Sequence, residues 1–100
     1  MTGEQHEISF EATVEKFEGP GGWHAVYLPE DAASAACFFG RANALGAISV
    51  FARIGNTEVR TSLFPDKRRG SLMLPLKAKL RQRESVHEGD RISVVLVLAG

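Results

Sequence analysis

The chain has 100 residues, of which 44% are apolar and 24% charged. This length accommodates a single domain over residues 1–100 and excludes a two-domain architecture, and the composition is typical of globular rather than disordered chains. The 12 basic and 12 acidic residues cancel, which disfavours a nucleic-acid function based on overall charge.

The N-terminal third of the chain predicts two strands that pair with each other. Apolar and polar residues alternate from Glu7 to Glu15, the pattern of a half-buried strand. The segment from Gly19 to Gly22, which contains a proline and three glycines, supplies the backbone conformations of a chain reversal. A second short strand from Trp23 to Leu28 is expected to follow the reversal.

An alanine-rich helix is predicted next. Pro29 and the two carboxylates after it are typical of a helix N-terminus, because proline is tolerated there and negative charge is favoured. The alanines that follow favour a helix of about three turns, and Gly40 is expected to end it. Phe38 and Phe39 are expected to anchor its apolar face.

The clearest local signal is a hairpin with its turn at Ile54 to Thr57, where Gly-Asn forms a two-residue loop. Counting from the turn places one set of residues on the core face: Ile48, Val50, Ala52, Ile54, Val59 and Leu63. The opposite face is expected to pair Arg53 with Glu58 and Phe51 with Arg60, as an ion pair and a cation–π contact.

The C-terminal third predicts a strand, a helix and a last strand. Ser71 to Pro75 is expected to be extended, and strong helix formers from Lys77 favour a short helix to about Glu84. The last strand, Ile92 to Leu98, is apolar on both faces and is expected to be central or interfacial. The predicted fold is therefore all-β with two short helices, a six-stranded, mostly antiparallel, closed or nearly closed barrel.

The chain is expected to lie in the cytosol. Met1 to Glu7 is polar and acidic, unlike a secretory leader, and the longest apolar run, Val94 to Ala99, is far shorter than a membrane span.

No catalytic or metal-binding motif is present. The three histidines, His6, His24 and His87, are too scattered for a local metal site. Cys37 lies among alanines and is expected to be a small buried residue, with no disulfide partner in the chain. Neither a G-x-S-x-G motif nor a phosphate-binding glycine loop occurs. We predict no catalytic residue, no metal and no cofactor, and His24 beside Trp23 could orient a ligand or simply be a half-exposed strand residue.

Charge is segregated along the chain. Residues 1–40 contain seven acidic residues and one basic residue, whereas residues 41–100 contain five acidic and eleven basic residues. On the second helix, like charges recur four residues apart and would be relieved by an anion: Lys77 with Arg81, and Lys79 with Arg83. The candidate nucleic-acid or anion patch comprises Lys67, Arg68, Arg69, Lys79 and Arg83. Counter-charge from Glu11 and Glu15, or plain solvation, is the alternative explanation.

Several segments in order resemble one known family. They are Phe10 to Ala12, Trp23 to Pro29, Thr61 to Pro65, Leu74 to Lys77 with Leu80-Arg81, and Gly89-Asp90. Together they resemble a family of bacterial domains catalogued as domain of unknown function number nineteen-oh-five. The resemblance implies a double-split β-barrel, distantly similar to the swapped-hairpin barrels of bacterial transition-state regulators and antitoxins. Members of that family are often joined to a bacteriocin-protection domain of the YdeI or OmpD-associated type, and the resemblance implies no activity.

The sequence favours a non-enzymatic binding or interaction module. The candidate ligand-binding residues are Thr61, Ser62, Lys77 and Arg81, which are expected near strand and helix ends, where a barrel mouth presents polar groups to a small anionic ligand. A protein partner, including a second copy of the chain, is an open possibility. The alternative is a nucleic-acid-binding barrel, and an undetected enzyme is the third hypothesis.

Overall fold

The computed structural model describes residues 5–17 and 22–99, and the structural statements below concern that part of the chain. It contains seven strands and two helices. In chain order they are β1 (Gln5–Thr13), β2 (Glu15–Lys16), β3 (His24–Tyr27), α1 (Glu30–Phe39), β4 (Ile48–Ile54), β5 (Thr57–Asp66), β6 (Ser71–Pro75), α2 (Ala78–Glu84) and β7 (Arg91–Ala99). Neither helix is long and apolar enough to cross a membrane.

The seven strands form one curled antiparallel sheet in the order β1-β7-β4-β5-β6-β3-β2. The predicted all-β class with antiparallel pairing and two short helices is confirmed. The prediction of six strands is wrong, because the expected strand Glu7 to Glu15 is interrupted at Val14. Its two parts, β1 and β2, lie at opposite ends of the strand order, so a single N-terminal segment reaches both ends of a barrel-like sheet.

The predicted pairing of the first two strands holds only for Glu15, the last residue of the predicted first strand. Glu15 and Lys16 pair with β3, whereas Gln5–Thr13 pairs with β7 along its whole length. At the break, the Val14 backbone N–H donates to Asp90 O, and the Gly89 N–H donates to Val14 O, each at 2.8 Å. β7 lies between β1 and β4, so of the two predicted positions, central or interfacial, the central one is confirmed.

The hairpin of β4 and β5 has the predicted register, from Ile54 opposite Thr57 to Ile48 opposite Leu63. The predicted core face is buried except for Val59, which is half-buried. Arg53 does lie opposite Glu58, and Phe51 opposite Arg60, but the former make no ion pair and the latter no cation–π contact. Both predicted side-chain contacts are therefore wrong.

Helix α1 begins and ends as predicted, and the Gly40 N–H donates to Ala36 O at its C-terminus. The predicted positions of Phe38 and Cys37 are wrong, because Phe38 is 80% exposed and Cys37 is exposed, and the buried residues are Ala32 and Ala36. Phe39 is 38% exposed, and its ring stacks on His6 of β1 with the ring centres 4.0 Å apart. At about 100° per residue, Phe38 lies roughly 200° around the helix from Ala36. The small alanine face lets the helix approach the sheet closely, and the bulky ring points to solvent.

The C-terminal elements agree with the sequence prediction. Ser71–Pro75 is a strand, and α2 begins at Ala78, with Lys77 as its N-cap residue, and ends at Glu84. The concave side of the curled sheet holds the core, whose largest fully buried side chains are Leu63, Leu74, Leu96, Leu98, Val14, Val26 and Val94. This arrangement leaves the start of β3, the middle of β5, the end of β6 and the start of α2 to form the candidate site.

Candidate functional site

A groove of about 510 Å³ lies where β3, β5, β6 and the start of α2 meet. All four predicted ligand-binding residues line it: Thr61, Ser62, Lys77 and Arg81. Its volume is within the range of pockets that hold small molecules, about 300 to 1,000 Å³. The structure thus brings the four residues together, and their binding role stays a prediction.

Two local features of the chain place these residues at the groove. β5 pairs with β4 as far as Leu63 and with β6 from Phe64 onward, so the strand changes partner just after Thr61 and Ser62. Lys77 and Arg81 are four residues apart at the start of α2, a spacing that puts both side chains on one face of a helix. The strand therefore supplies hydroxyl groups and the helix supplies cations.

Both cations have hydrogen-bond donors without a partner among the described residues. Arg81 is half-buried and donates from Nε to Leu76 O at 3.0 Å, while its two terminal nitrogens have no partner within residues 5–17 and 22–99. Lys77 is exposed, and its ammonium group has no ion-pair partner in the same ranges. Among the described residues that line the groove, none is an aspartate or a glutamate. An anion entering the groove would meet uncompensated positive charge.

Aromatic side chains also line the groove. Trp23 is 56% exposed and Phe64 is 41% exposed. His24 is held beside them, with Nδ1 donating to Gly22 O at 3.0 Å. Trp23 and His24 stand out in the sequence, whereas Phe64 was missed. Counting from the hairpin turn could have found it, because a buried Leu63 places Phe64 on the other face.

A smaller compartment of about 220 Å³ adjoins the groove and shares Thr61, Pro75 and Lys77 with it. Its other lining residues include Lys79 and Arg83 of the predicted patch, and also Arg60, which no sequence pattern assigned to a site. This compartment extends the positively charged surface along α2 and β5, and we call it the cationic compartment.

The remaining residues of the predicted patch lie elsewhere. Lys67, Arg68 and Arg69 follow β5 and line neither the groove nor the cationic compartment. Arg69 donates to both carboxylate oxygens of Glu15, at 2.8 and 2.9 Å, so the alternative explanation by counter-charge is confirmed for this residue. Glu11 instead lies 3.4 Å from Arg91.

Tyr27 joins the Arg69–Glu15 pair into a larger cluster. The Arg69 guanidinium lies 3.8 Å from the Tyr27 ring centre, and the Tyr27 hydroxyl donates to Asp66. Burial is the main cause that raises the pKa of Tyr27 to about 12, and the hydrogen bond to Asp66 adds to it. The same hydrogen bond lowers the pKa of Asp66, and the bond from Arg69 lowers the pKa of Glu15. The cluster links β2, β3 and the end of β5 through hydrogen bonds and a cation–π contact.

Tyr27 is the only tyrosine, so its ionisation can be followed by ultraviolet absorbance. The folded protein is expected to titrate at about pH 12, whereas a urea-unfolded chain should titrate at about 10. Since folding favours the neutral phenol, its contribution to stability is complete below pH 10 and is lost as the pH rises to 12. Asp66→Asn should lower the folded midpoint and Glu58→Gln should not. A wild-type midpoint near 10 would contradict the cluster.

No group of three or more histidine, cysteine, aspartate or glutamate residues in the described part of the chain is placed to hold a metal ion.

One comparison with known proteins identifies relatives of the chain. A family model described as a domain of unknown function (DUF1905) matches residues 10–96, a span that includes every residue lining the groove. The curated proteins contain no match.

Proposed function

The chain belongs to the DUF1905 family, a domain of unknown function, and we propose that it is a non-catalytic binding module for a small aromatic anion. One observation carries this proposal: the Lys77 and Arg81 cations, which have no ion-pair partner within residues 5–17 and 22–99, line the same groove as the exposed rings of Trp23 and Phe64. We include in the proposal that the curled sheet is a double-split barrel, since one N-terminal segment supplies both ends of its strand order.

The chemistry of the lining selects the ligand class. Arginine and lysine bind carboxylate or phosphate through charge-assisted hydrogen bonds, each contributing about 1.5 to 3 kcal/mol. Trp23 and Phe64 offer faces on which a ring can stack, and the hydroxyl groups of Thr61 and Ser62 can donate to or accept from a polar substituent. A ligand that carries both a ring and an anionic group can contact the aromatic and the cationic side chains of the groove.

A titration of the folded protein with phenyl phosphate, inorganic phosphate and benzyl alcohol tests the proposal. Phenyl phosphate is expected to raise the thermal midpoint most, because it alone engages both the cations and the rings. The double variant Lys77→Ala/Arg81→Ala should weaken phenyl phosphate binding at least about tenfold, the loss of one or more charge-assisted hydrogen bonds. Trp23→Ala should weaken phenyl phosphate but leave inorganic phosphate unchanged.

The matched control is Lys67→Ala/Arg68→Ala, which removes two exposed cations outside the groove. This control should bind phenyl phosphate like the wild type. Equal losses in the two double variants would show attraction to overall charge and would overturn the groove as the site. Duplex DNA that binds more tightly than phenyl phosphate, with a steep dependence on salt, would favour the nucleic-acid alternative instead.

A further inference from the structure

Four side chains stand side by side across four neighbouring strands, on the sheet face opposite the core. Glu7 of β1 lies opposite Val97 of β7, Val97 lies opposite Phe51 of β4, and Phe51 lies opposite Arg60 of β5. We call these four residues the outer row. The adjoining row on the inner face is Ile8, Leu96, Ala52 and Val59, which packs in the core.

The centre of the outer row is apolar and partly exposed to solvent in the described part of the chain. Phe51 is 45% exposed, and Val97 and its neighbour Val95 are only half-buried. A sheet with one face in water normally alternates apolar residues inside with polar residues outside. β7 breaks this rule, because Val94, Leu96 and Leu98 already fill the core from its inner face. An apolar strip on the outer face indicates a surface that another molecule covers.

The two ends of the outer row carry opposite charges. Glu7 and Arg60 are exposed, and neither has an ion-pair partner among the residues that the structure describes. They are three strand spacings apart, about 14 Å, so they do not reach each other within one chain. The row therefore runs from acid through two apolar residues to base, and such a row is complementary to its own reverse.

From this self-complementarity we propose that a second copy of the chain docks on the outer face to form a two-fold symmetric dimer. A two-fold axis parallel to the strands, passing between Val97 and Phe51, reverses the row in the partner. This axis places Val97 opposite the partner's Phe51 and Glu7 opposite the partner's Arg60. Because of the two-fold symmetry, each of these contacts occurs twice in the dimer. An axis across the strands would instead set Glu7 against the partner's Glu7.

The next row of the same face is compatible with this orientation. It consists of Ser9, Val95, Arg53 and Glu58 in strand order. The same axis sets Val95 against the methylene stem of the partner's Arg53, and Ser9 against the partner's Glu58, where the hydroxyl can donate to the carboxylate. No pair of like charges is brought face to face in either row.

Light scattering coupled to size-exclusion chromatography, over a dilution series of the full chain, tests the dimer. The wild type is expected to be dimeric and to dissociate on dilution. Glu7→Arg and Arg60→Glu should each weaken the dimer at least about tenfold, because each creates two like-charge contacts. The double variant Glu7→Arg/Arg60→Glu should restore dimerisation, since it exchanges the charges and keeps the complementarity.

Two further variants locate the interface. Val97→Lys should give a folded monomer that still binds phenyl phosphate, because Val97 lies outside the groove. Phe38→Ser/Leu45→Ser, which removes the two most exposed large apolar side chains of the described residues, should stay dimeric. A monomeric wild type, a double charge exchange that fails to restore the dimer, or dissociation by the Phe38/Leu45 variant would overturn the proposal. These outcomes leave the ligand proposal untouched, because its readout is binding per chain.

Discussion

Replacing Glu84 with alanine is expected to lower the free energy of unfolding by about 2 to 4 kcal/mol. Glu84, the last residue of α2, accepts hydrogen bonds at Oε2 from the Thr57 hydroxyl at 2.6 Å and from the Asn56 backbone N–H at 3.3 Å. Thr57 is 8% exposed, so alanine at position 84 would leave a buried hydroxyl without a partner. Such a loss costs more than the bond itself contributes, because the hydroxyl is already removed from water.

The same substitution should weaken ligand binding. Glu84 fastens the end of α2 to the turn of the β4–β5 hairpin, and α2 carries Arg81 into the groove. Urea unfolding and phenyl phosphate titration of Glu84→Ala, Glu84→Gln and the control Glu88→Ala measure both effects. Glu84→Gln keeps an oxygen acceptor and should lose less stability, and Glu88→Ala should resemble the wild type. Wild-type stability in Glu84→Ala would show that the helix is held by its apolar contacts alone.

Replacing Gly40 with alanine is expected to cost about 2 to 3 kcal/mol through overpacking. A Cβ atom at this position would lie 2.6 Å from Cγ2 of Ile48, 2.7 Å from the backbone O of Ala36 and 2.9 Å from Cδ2 of Leu98. Ile48 and Leu98 are core residues with little room to move. The φ of Gly40 is −87°, which any residue adopts, so the glycine is required by close packing and not by its backbone conformation.

Gly70→Ala separates the two possible effects of a glycine substitution. Gly70 has a φ of +68°, and a Cβ atom added there would meet no other atom within 4 Å. Only backbone strain of about 1 kcal/mol is therefore expected at this position. Thermal unfolding of both variants by circular dichroism should rank Gly40→Ala as clearly less stable. The reverse order would mean that α1 moves away from β4 and β7 at little cost.

Much of the local structure could be predicted because its signals are local. The hairpin of β4 and β5 follows from a two-residue turn and strict alternation, which together give every cross-strand pair. The bounds of α1 follow from a proline before its start, alanines in its centre and a glycine after its end. The two predicted side-chain contacts, of Arg53 with Glu58 and of Phe51 with Arg60, do not form. Strand register places these residues opposite each other but does not decide where their long side chains point.

The candidate site was predictable only in part. Lys77 and Arg81 follow from helical spacing, whereas Thr61 and Ser62 were expected near the end of a strand and lie in the middle of β5. Trp23 and Phe64 reach the same groove from β-segments distant in the chain, and no spacing in the sequence relates them. Arg69 was predicted to belong to the anion-binding patch, but its charge is already paired with the carboxylate of Glu15.

The class of the fold, the hairpin register, the two helices and the apolar β7 could all be predicted, because propensity and periodicity act between residues close in the chain. The pairing of β1 with β7, the break of the first strand at Val14 and the exposure of Phe38 became known only from the folded chain. Alternation shows which face of a strand is buried but not which strand lies beside it. Those choices depend on how apolar surfaces distant in the chain fit together, which is a property of the folded whole.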